Sequence, residues 1–341
     1  MYTTSPDITL FSDLIKCPKC QKPSTIAAAQ DGVTCQSCGR QFLISDGVLD
    51  FVGGSANTGL DVTTYDQQKQ VTIALAKALF AHLKQASRGM IRDDLGVVLE
   101  VGAGTGLLTL GMLGDGHFDR AIVTDVSPQM LGLCKQRFGP SNNVMFATYG
   151  AREKVFVDGS FDLCIAHSVL HHIADYREFL VDVAKFLKPT GVAVFVEPGA
   201  PYHDAMSRAM ADSLCALLAN EGANTEGRDV ETLAAWISDV RYRLAFPDNT
   251  SDLMCMEDKY IFTRDGLTAA GLEAGFAAVD IAPNLLDHDG NCGSQEYMRE
   301  LGVTPQFASR FLAIYRRYAT RYFRTVREDD MSGMYICVFR R

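Results

Sequence analysis

Short apolar runs alternate along the middle of the chain with segments whose apolar positions recur every three or four residues. The runs predict buried strands at residues 97–101, 121–125, 143–147, 161–166 and 191–197, and the segments between them predict helices. Strands that alternate with helices in this way form a parallel sheet with right-handed crossovers. The middle of the chain is therefore predicted to be an α/β domain.

The pattern differs on both sides of this domain. Helical spacing is found at residues 65–87, and helical insertions interrupt the strand pattern at about 203–258 and 294–327. Apolar runs at 277–282 and 333–339 predict two more strands. Both insertions are therefore expected to be additions to the α/β domain.

The first strand of the domain runs directly into a glycine-rich turn. Gly102, Gly104 and Gly106 follow it, and a helix begins at Leu107. Glycine lets the backbone turn tightly and approach a ligand, and a helix start offers unpaired N–H groups. The usual dinucleotide spacing would place the third glycine at 107, which disfavours a nicotinamide enzyme. Asp125 ends the second strand, where a carboxylate can accept both hydroxyls of a ribose.

Three sequence segments carry a resemblance to a known family. They are Glu100–Gly106, Thr124–Met130 and the Leu170-His171-His172 segment after the fourth strand. Together they resemble the class I S-adenosylmethionine-dependent methyltransferases, over roughly residues 60–200. The resemblance implies a Rossmann-like sheet of seven strands, the last of them antiparallel.

The resemblance also implies which residues hold the cofactor. Glu100 would bind its ammonium group, Asp125 its ribose, and Tyr65 would close over it. The family often has an acid that meets the adenine amino group, but this chain has Tyr149-Gly150-Ala151 there. Backbone groups at Gly150 and Ala151 would then bind adenine, and the Tyr149 ring would stack on it. The cofactor set is Tyr65, Glu100, Gly102, Ala103, Gly104, Gly106, Asp125, Ser127, Met130, Gly150, Ala151 and His167.

Two residues at strand ends are candidates for proton transfer. His167 follows the fourth strand, and histidine titrates near neutral pH. Glu197 ends the fifth strand, where a structural acid is the alternative interpretation. Methyl transfer mainly requires alignment of acceptor and methyl group, which agrees with the lack of an obvious acid–base pair. The predicted acceptor is a hydroxyl or amine of a small molecule, such as a secondary metabolite or a sugar.

Four cysteines near the start form two C-x-x-C pairs, Cys17 with Cys20 and Cys35 with Cys38. Two such pairs can surround one tetrahedral zinc ion, and four thiolates leave no position open for chemistry. With their flanking residues they resemble the zinc ribbons of methyltransferase activator subunits. We expect residues 1–55 to form a ribbon with structural zinc and residues 56–341 to form the methyltransferase domain.

Composition limits the remaining alternatives. The 341 residues carry a formal net charge of −9 and no basic apolar leader, so a cytoplasmic protein without a membrane segment is expected. An RNA methyltransferase that binds substrate through the ribbon is one alternative, although the acidic charge disfavours nucleic acid. The arginine-rich segment 310–327 fits either an RNA surface or a solvated helix face. A non-catalytic methyltransferase-fold regulator is the other alternative, and the sequence leaves the oligomeric state open.

Overall fold

The computed structural model describes residues 8–23, 26–29, 32–53, 62–69, 71–114, 117–221, 227–247, 256–285 and 295–341. The chain divides into two compact units. The first contains residues 1–195, 268–280 and 337–341, and the second contains residues 196–267 and 281–336.

The strands that the structure describes belong to one sheet in the order β1-β2-β3-β4-β7-β6-β5-β8-β9-β11-β10. Their bounds are β1 Ile26–Ala29, β2 Gly32–Cys35, β3 Gln41–Ser45, β4 Val48–Asp50, β5 Val97–Val101, β6 Arg120–Asp125, β7 Val144–Thr148, β8 Phe161–His167, β9 Leu187–Pro198, β10 Ala278–Pro283 and β11 Met334–Arg340. Each strand predicted from an apolar run is present.

The seven strands from β5 onward form the predicted mixed sheet. β5 pairs in parallel with β6 and β8, and β6 pairs in parallel with β7. β11 runs against β9, because Arg341 N–H donates to Gly191 at one end and Gly199 N–H donates to Gly333 at the other. The Rossmann-like fold with an antiparallel last strand is confirmed.

Ten α-helices are present in the described residues. They are α1 Val62–Lys69, α2 Ile73–Ala86, α3 Leu107–Leu113, α4 Pro128–Phe138, α5 Tyr176–Phe186, α6 Ala200–Glu221, α7 Gly227–Ala245, α8 Arg264–Glu273, α9 Gln295–Glu300 and α10 Pro305–Phe323. The prediction of one helix at 65–87 is wrong, since two separate helices, α1 and α2, occupy this part of the chain. Thr72 caps α2 by accepting a hydrogen bond from Leu75 N–H, which fixes a new helix start.

The cysteine-rich segment continues the sheet. β4 pairs in parallel with β7, so Val48 lies opposite Phe146. Arg120 also donates two hydrogen bonds to the Asp13 carboxylate, at 2.6 and 2.9 Å. These contacts join the segment to the strands of the first unit, and the domain boundary at residue 55 stays a prediction.

The two predicted insertions supply the helices of the second unit, together with the start of α8. They share one apolar core, which includes Met206, Met210, Leu214, Leu233, Ile237, Met298, Phe307, Phe311 and Tyr315. α10 buries its aromatic face there and exposes Arg310, Arg317 and Arg321. It is therefore an amphipathic helix with an arginine face.

Candidate functional site

The glycine turn after β5 has one side open to a ligand. Gly102, Gly104 and Gly106 all have positive φ, at 67°, 54° and 103°. A Cβ on Gly102 would lie 2.3 Å from Val169 Cγ2, and one on Gly106 would lie 3.1 Å from Cys134 Sγ. A Cβ on Gly104 would meet only Tyr65 Oη, at 4.0 Å, among the described residues. Gly102 and Gly106 therefore serve packing, while Gly104 leaves space.

Asp125 lies beside this open position. Its Oδ2 accepts a hydrogen bond from Gly104 N–H at 2.8 Å, and its Oδ1 accepts one from Ser127 N–H at 2.8 Å. Burial raises the pKa of the Asp125 carboxyl, although these backbone donors oppose the shift. A carboxylate has lone pairs beyond the two already used, so Asp125 can still accept ligand hydroxyls.

Glu100 is enclosed within the first unit. Its side chain is buried, and Oε2 accepts a hydrogen bond from Thr109 Oγ1 at 2.7 Å. Burial raises the pKa of the Glu100 carboxyl to about 7, while the Thr109 hydrogen bond lowers it. Its predicted contact with the cofactor ammonium stays a prediction.

Ser127 and Met130 follow Asp125 and begin helix α4. Ser127 Oγ accepts a hydrogen bond from Met130 N–H at 3.3 Å, so Ser127 is the N-cap of α4. Both residues are buried. The residues predicted to flank adenine therefore also fix the direction in which α4 leaves the sheet.

The turn after β7 contains an acid that the sequence analysis missed. Gly150 N–H donates to Glu153 Oε2 at 2.8 Å, and Ala151 adopts a positive φ of 65°. Glu153 thus brings a carboxylate to the turn that lacks the family's acid. The sequence feature that could have identified it is an acid three residues after Gly150. The Tyr149 ring is 3% exposed and packs against Phe156, so it is part of the core.

His167 ends β8, as predicted, and is half-buried. Its Nδ1 lies 3.1 Å from Ser168 Oγ, and Ser168 has a positive φ of 57°. A non-glycine residue in this region costs about 1–2 kcal/mol, so the surrounding structure must hold it there. Val169, the next residue, packs against Gly102. The strained turn thus places the start of the Leu-His-His segment beside the glycine turn.

The second unit contains the other predicted proton acceptor. Glu197 lies near the end of β9 and is fully buried. The neighbouring His203 ring is fixed, because its Nδ1 lies 2.8 Å from the Gly199 carbonyl oxygen.

The four cysteines predicted as metal ligands come together in the first unit. Cys17 Sγ lies 3.7 Å from Cys38 Sγ, Cys20 Sγ lies 3.6 Å from Cys35 Sγ, and all four sulfurs lie within 4.8 Å of one another. A tetrahedral ion with Zn–S bonds of about 2.3 Å requires sulfurs about 3.8 Å apart. The cluster therefore fits zinc.

The two cysteine turns have equivalent backbones. Gln21 N–H donates to the Cys17 carbonyl and Gly39 N–H to the Cys35 carbonyl, both at 2.8 Å. Gln21 and Gly39 have positive φ values of 59° and 73°. This repeated geometry presents both cysteine pairs to one point. Burial raises the pKa of the Cys17 thiol to about 11, so a metal would have to displace its proton.

Comparison with known proteins gives a methyltransferase domain at residues 99–195. The chain is 35% identical over 105 residues to the reducing polyketide synthase Preu2 of Preussia isomera, and 36% identical over 115 residues to squalestatin hexaketide synthase of Phoma sp.. These matches cover 29% and 30% of this chain but only 4% of each relative. A solved S-adenosylmethionine-dependent methyltransferase from Mesorhizobium loti is 17% identical, with a TM-score of 0.43, over 77% of this chain and 100% of that one.

No helix among those that the structure describes combines the length and apolar content needed to cross a bilayer. The matched domain includes the glycine turn, Asp125 and His167, and the strand order is the one expected for that fold. The chain therefore contains a methyltransferase domain built on a Rossmann-like sheet.

Proposed function

We propose that this protein transfers a methyl group from S-adenosylmethionine to a hydroxyl or amine of a small molecule. The observation that carries the proposal is the open side of Gly104 beside the Asp125 carboxylate. A backbone without a side chain, next to an acceptor for two hydroxyls, fits a nucleoside joined to an amino acid. When bound, the cofactor supplies a methyl group on a positively charged sulfur.

The residues of the first unit would divide the work of holding this ligand. Asp125 would accept from the ribose hydroxyls with the lone pairs not used by Gly104 and Ser127. Glu153, through its place at Gly150, is the candidate acceptor for the adenine amino group. Tyr65, whose Oη lies 4.0 Å from the place of a Cβ on Gly104, would cover the ligand on that side. Fixed contacts of this kind align the methyl group with its acceptor and exclude water.

His167 and Glu197 are the proposed acceptors for the proton that a hydroxyl or amine loses. The His167 ring is oriented by Ser168, and Glu197 is buried near the end of β9. A variant that loses turnover while keeping cofactor affinity would identify the base.

Carbon is the second candidate for the accepting atom. The relatives, which match less than a third of the chain, are named as polyketide synthases. A carbon chain of the kind that such enzymes build is therefore the second acceptor class. Methyl transfer to carbon needs a base to remove a proton next to a carbonyl group. Transfer of a ¹³C-labelled methyl group would distinguish oxygen, nitrogen and carbon by the chemical shift of the product.

Calorimetric titration with S-adenosylhomocysteine, the product of the cofactor, tests the proposal. We expect the wild-type chain to bind it, and Asp125→Ala to lose about 1–3 kcal/mol of binding free energy, since a charged acceptor is removed. NADH should not bind. A chain that binds NADH, or that binds neither compound, would overturn the proposal.

A matched pair of glycine variants separates ligand contact from backbone strain. Gly104 and Gly159 have φ values of 54° and 69°, and a Cβ on Gly159 would meet nothing within 4 Å. Alanine at either position should lower the free energy of unfolding by about 1–2 kcal/mol. Only Gly104→Ala should weaken S-adenosylhomocysteine binding, because its methyl group would occupy the ligand space. Equal affinity of the two variants would remove Gly104 from the site.

We also propose that Cys17, Cys20, Cys35 and Cys38 bind structural zinc. The proposal is supported by the spacing of their sulfurs and by the paired backbone turns. Four thiolates complete the coordination, so the ion would stabilise the segment and take no part in methyl transfer.

A further inference from the structure

The side chains of Asp66 and Arg137 connect helix α1 to the glycine turn. Arg137 is in the last turn of α4 and donates from Nη2 to Asp66 Oδ2 at 2.5 Å. Its Nη1 donates to the Thr105 carbonyl oxygen at 3.0 Å. Thr105 stands between Gly104 and Gly106, so one guanidinium group reaches both α1 and the turn.

This ion pair is shielded from solvent. The side chain of Arg137 is 27% exposed and that of Asp66 is 21% exposed. The hydrogen bond from Arg137 lowers the pKa of the Asp66 carboxyl, and burial opposes this less strongly. Asp66 therefore stays ionised at neutral pH. A shielded, charge-assisted contact is stronger than an exposed surface pair.

Asp66 directly follows Tyr65 in helix α1. Tyr65 Oη is the described atom nearest to the place that a Cβ on Gly104 would take, at 4.0 Å. The α1 helix has only eight residues, which is too short for stable helix formation by itself in water. Contacts outside the helix must therefore help to hold Tyr65 in place, and the Asp66–Arg137 pair anchors the residue next to it.

We infer that Asp66 and Arg137 are positioning residues that hold Tyr65 over the open side of Gly104 and so raise the affinity for the cofactor. This inference rests on the proposed function. In this inference Asp66 and Arg137 act through Tyr65 and not by contact with the ligand. The guanidinium also fixes the Thr105 carbonyl, so α1 and the turn keep one arrangement.

The test uses the full chain, titrated with S-adenosylhomocysteine, with thermal stability measured in parallel. Asp66→Asn and Arg137→Lys should each raise the dissociation constant about fivefold to tenfold, since each breaks one charge-assisted contact. Asp13→Asn is the matched control. It removes an acid from another arginine pair, at the opposite end of β6 from Asp125, in which Arg120 is also 27% exposed but the acid is 58% exposed. This variant should keep the wild-type affinity.

A second comparison shows whether the pair acts through Tyr65. In a Tyr65→Ala background, Asp66→Asn should cause no further loss of affinity. An additive loss would overturn the role in positioning Tyr65, and so would wild-type affinity in both Asp66→Asn and Arg137→Lys. A wild-type chain that fails to bind overturns the proposed function together with this inference. Binding by the wild type with unchanged variants overturns this inference alone.

Discussion

Glu100 shows how its surroundings change what one side chain can do. The carboxyl group is buried, and the Thr109 hydroxyl donates to it at 2.7 Å. Burial raises its pKa to about 7 from an ordinary value of 4.5. Between pH 4.5 and pH 7, the Glu100 carboxyl therefore keeps its proton in the folded chain but has lost it in the unfolded chain. Stability contributed by the neutral form is present at low pH and is lost as the pH rises from about 4.5 to about 7.

The variant Glu100→Gln should remove this dependence on pH, because the amide keeps an acceptor for Thr109 and never ionises. We expect its free energy of unfolding to exceed that of the wild type by up to about 3 kcal/mol above pH 7, and to approach it near pH 4.5. Urea unfolding of both proteins at several pH values measures the difference. A difference that stays constant with pH would show that Glu100 titrates as an ordinary carboxyl.

Glu100 and Glu153 also show what a sequence can tell about single residues. Position relative to the glycine turn marked Glu100 as a ligand residue, but its enclosure depends on the packing of α3, which no local pattern encodes. The role of Glu153 was not predicted, because its carboxylate reaches back to Gly150 across a turn in which Ala151 has positive φ. Such a conformation is rare for alanine and could not be expected from composition.

At the scale of elements, buried strands were predicted well because the apolar runs that define them are continuous. β5 has the predicted bounds, Val97–Val101, and β6 and β7 differ by one residue. β9 begins at Leu187, four residues before the predicted start, because Lys188 to Thr190 are extended but only partly buried or exposed. Polar residues in a strand give no apolar signal.

Strands β1, β2 and β3 each bury one large apolar side chain, those of Ile26, Val33 and Phe42. This is a small core, so their stability should depend on the metal. We expect about one zinc ion per chain. Removal of zinc by a chelator should increase amide hydrogen exchange in β1 to β3. Exchange in β5 and β6 should stay unchanged, because the segment joins the rest of the sheet through the β4–β7 pairing, which does not involve the metal. Hydrogen exchange followed by mass spectrometry measures both regions.

Cysteine variants provide the control for this experiment. Cys20→Ser should lose zinc, whereas Cys215→Ser, which changes an exposed cysteine of α6, should keep it. Unchanged protection of β1 to β3 in the metal-free protein would show that packing alone holds the segment.

At the scale of the whole molecule, the distribution of charge matters more than its sum. The chain has a net charge of −9, yet residues 304–327 contain six arginines and no acid. All six are exposed, and the aromatic residues Phe311 and Tyr315 of the same helix are buried in the core of the second unit. These two rings are unavailable for stacking with bases, which single-stranded RNA binding commonly uses. We therefore expect the arginine face to be a solvated surface.

This interpretation predicts weak, non-specific binding of RNA. We expect a dissociation constant no tighter than about 10⁻⁵ M at physiological salt. The double variant Arg317→Glu/Arg321→Glu should keep the wild-type affinity for S-adenosylhomocysteine, because both side chains are exposed and neither belongs to the predicted cofactor set. Fluorescence anisotropy with a labelled RNA, repeated at several salt concentrations, measures the first quantity, and calorimetry measures the second. Tight binding that falls steeply with salt, and that the double variant abolishes, would contradict this interpretation and show that the arginine face binds phosphates.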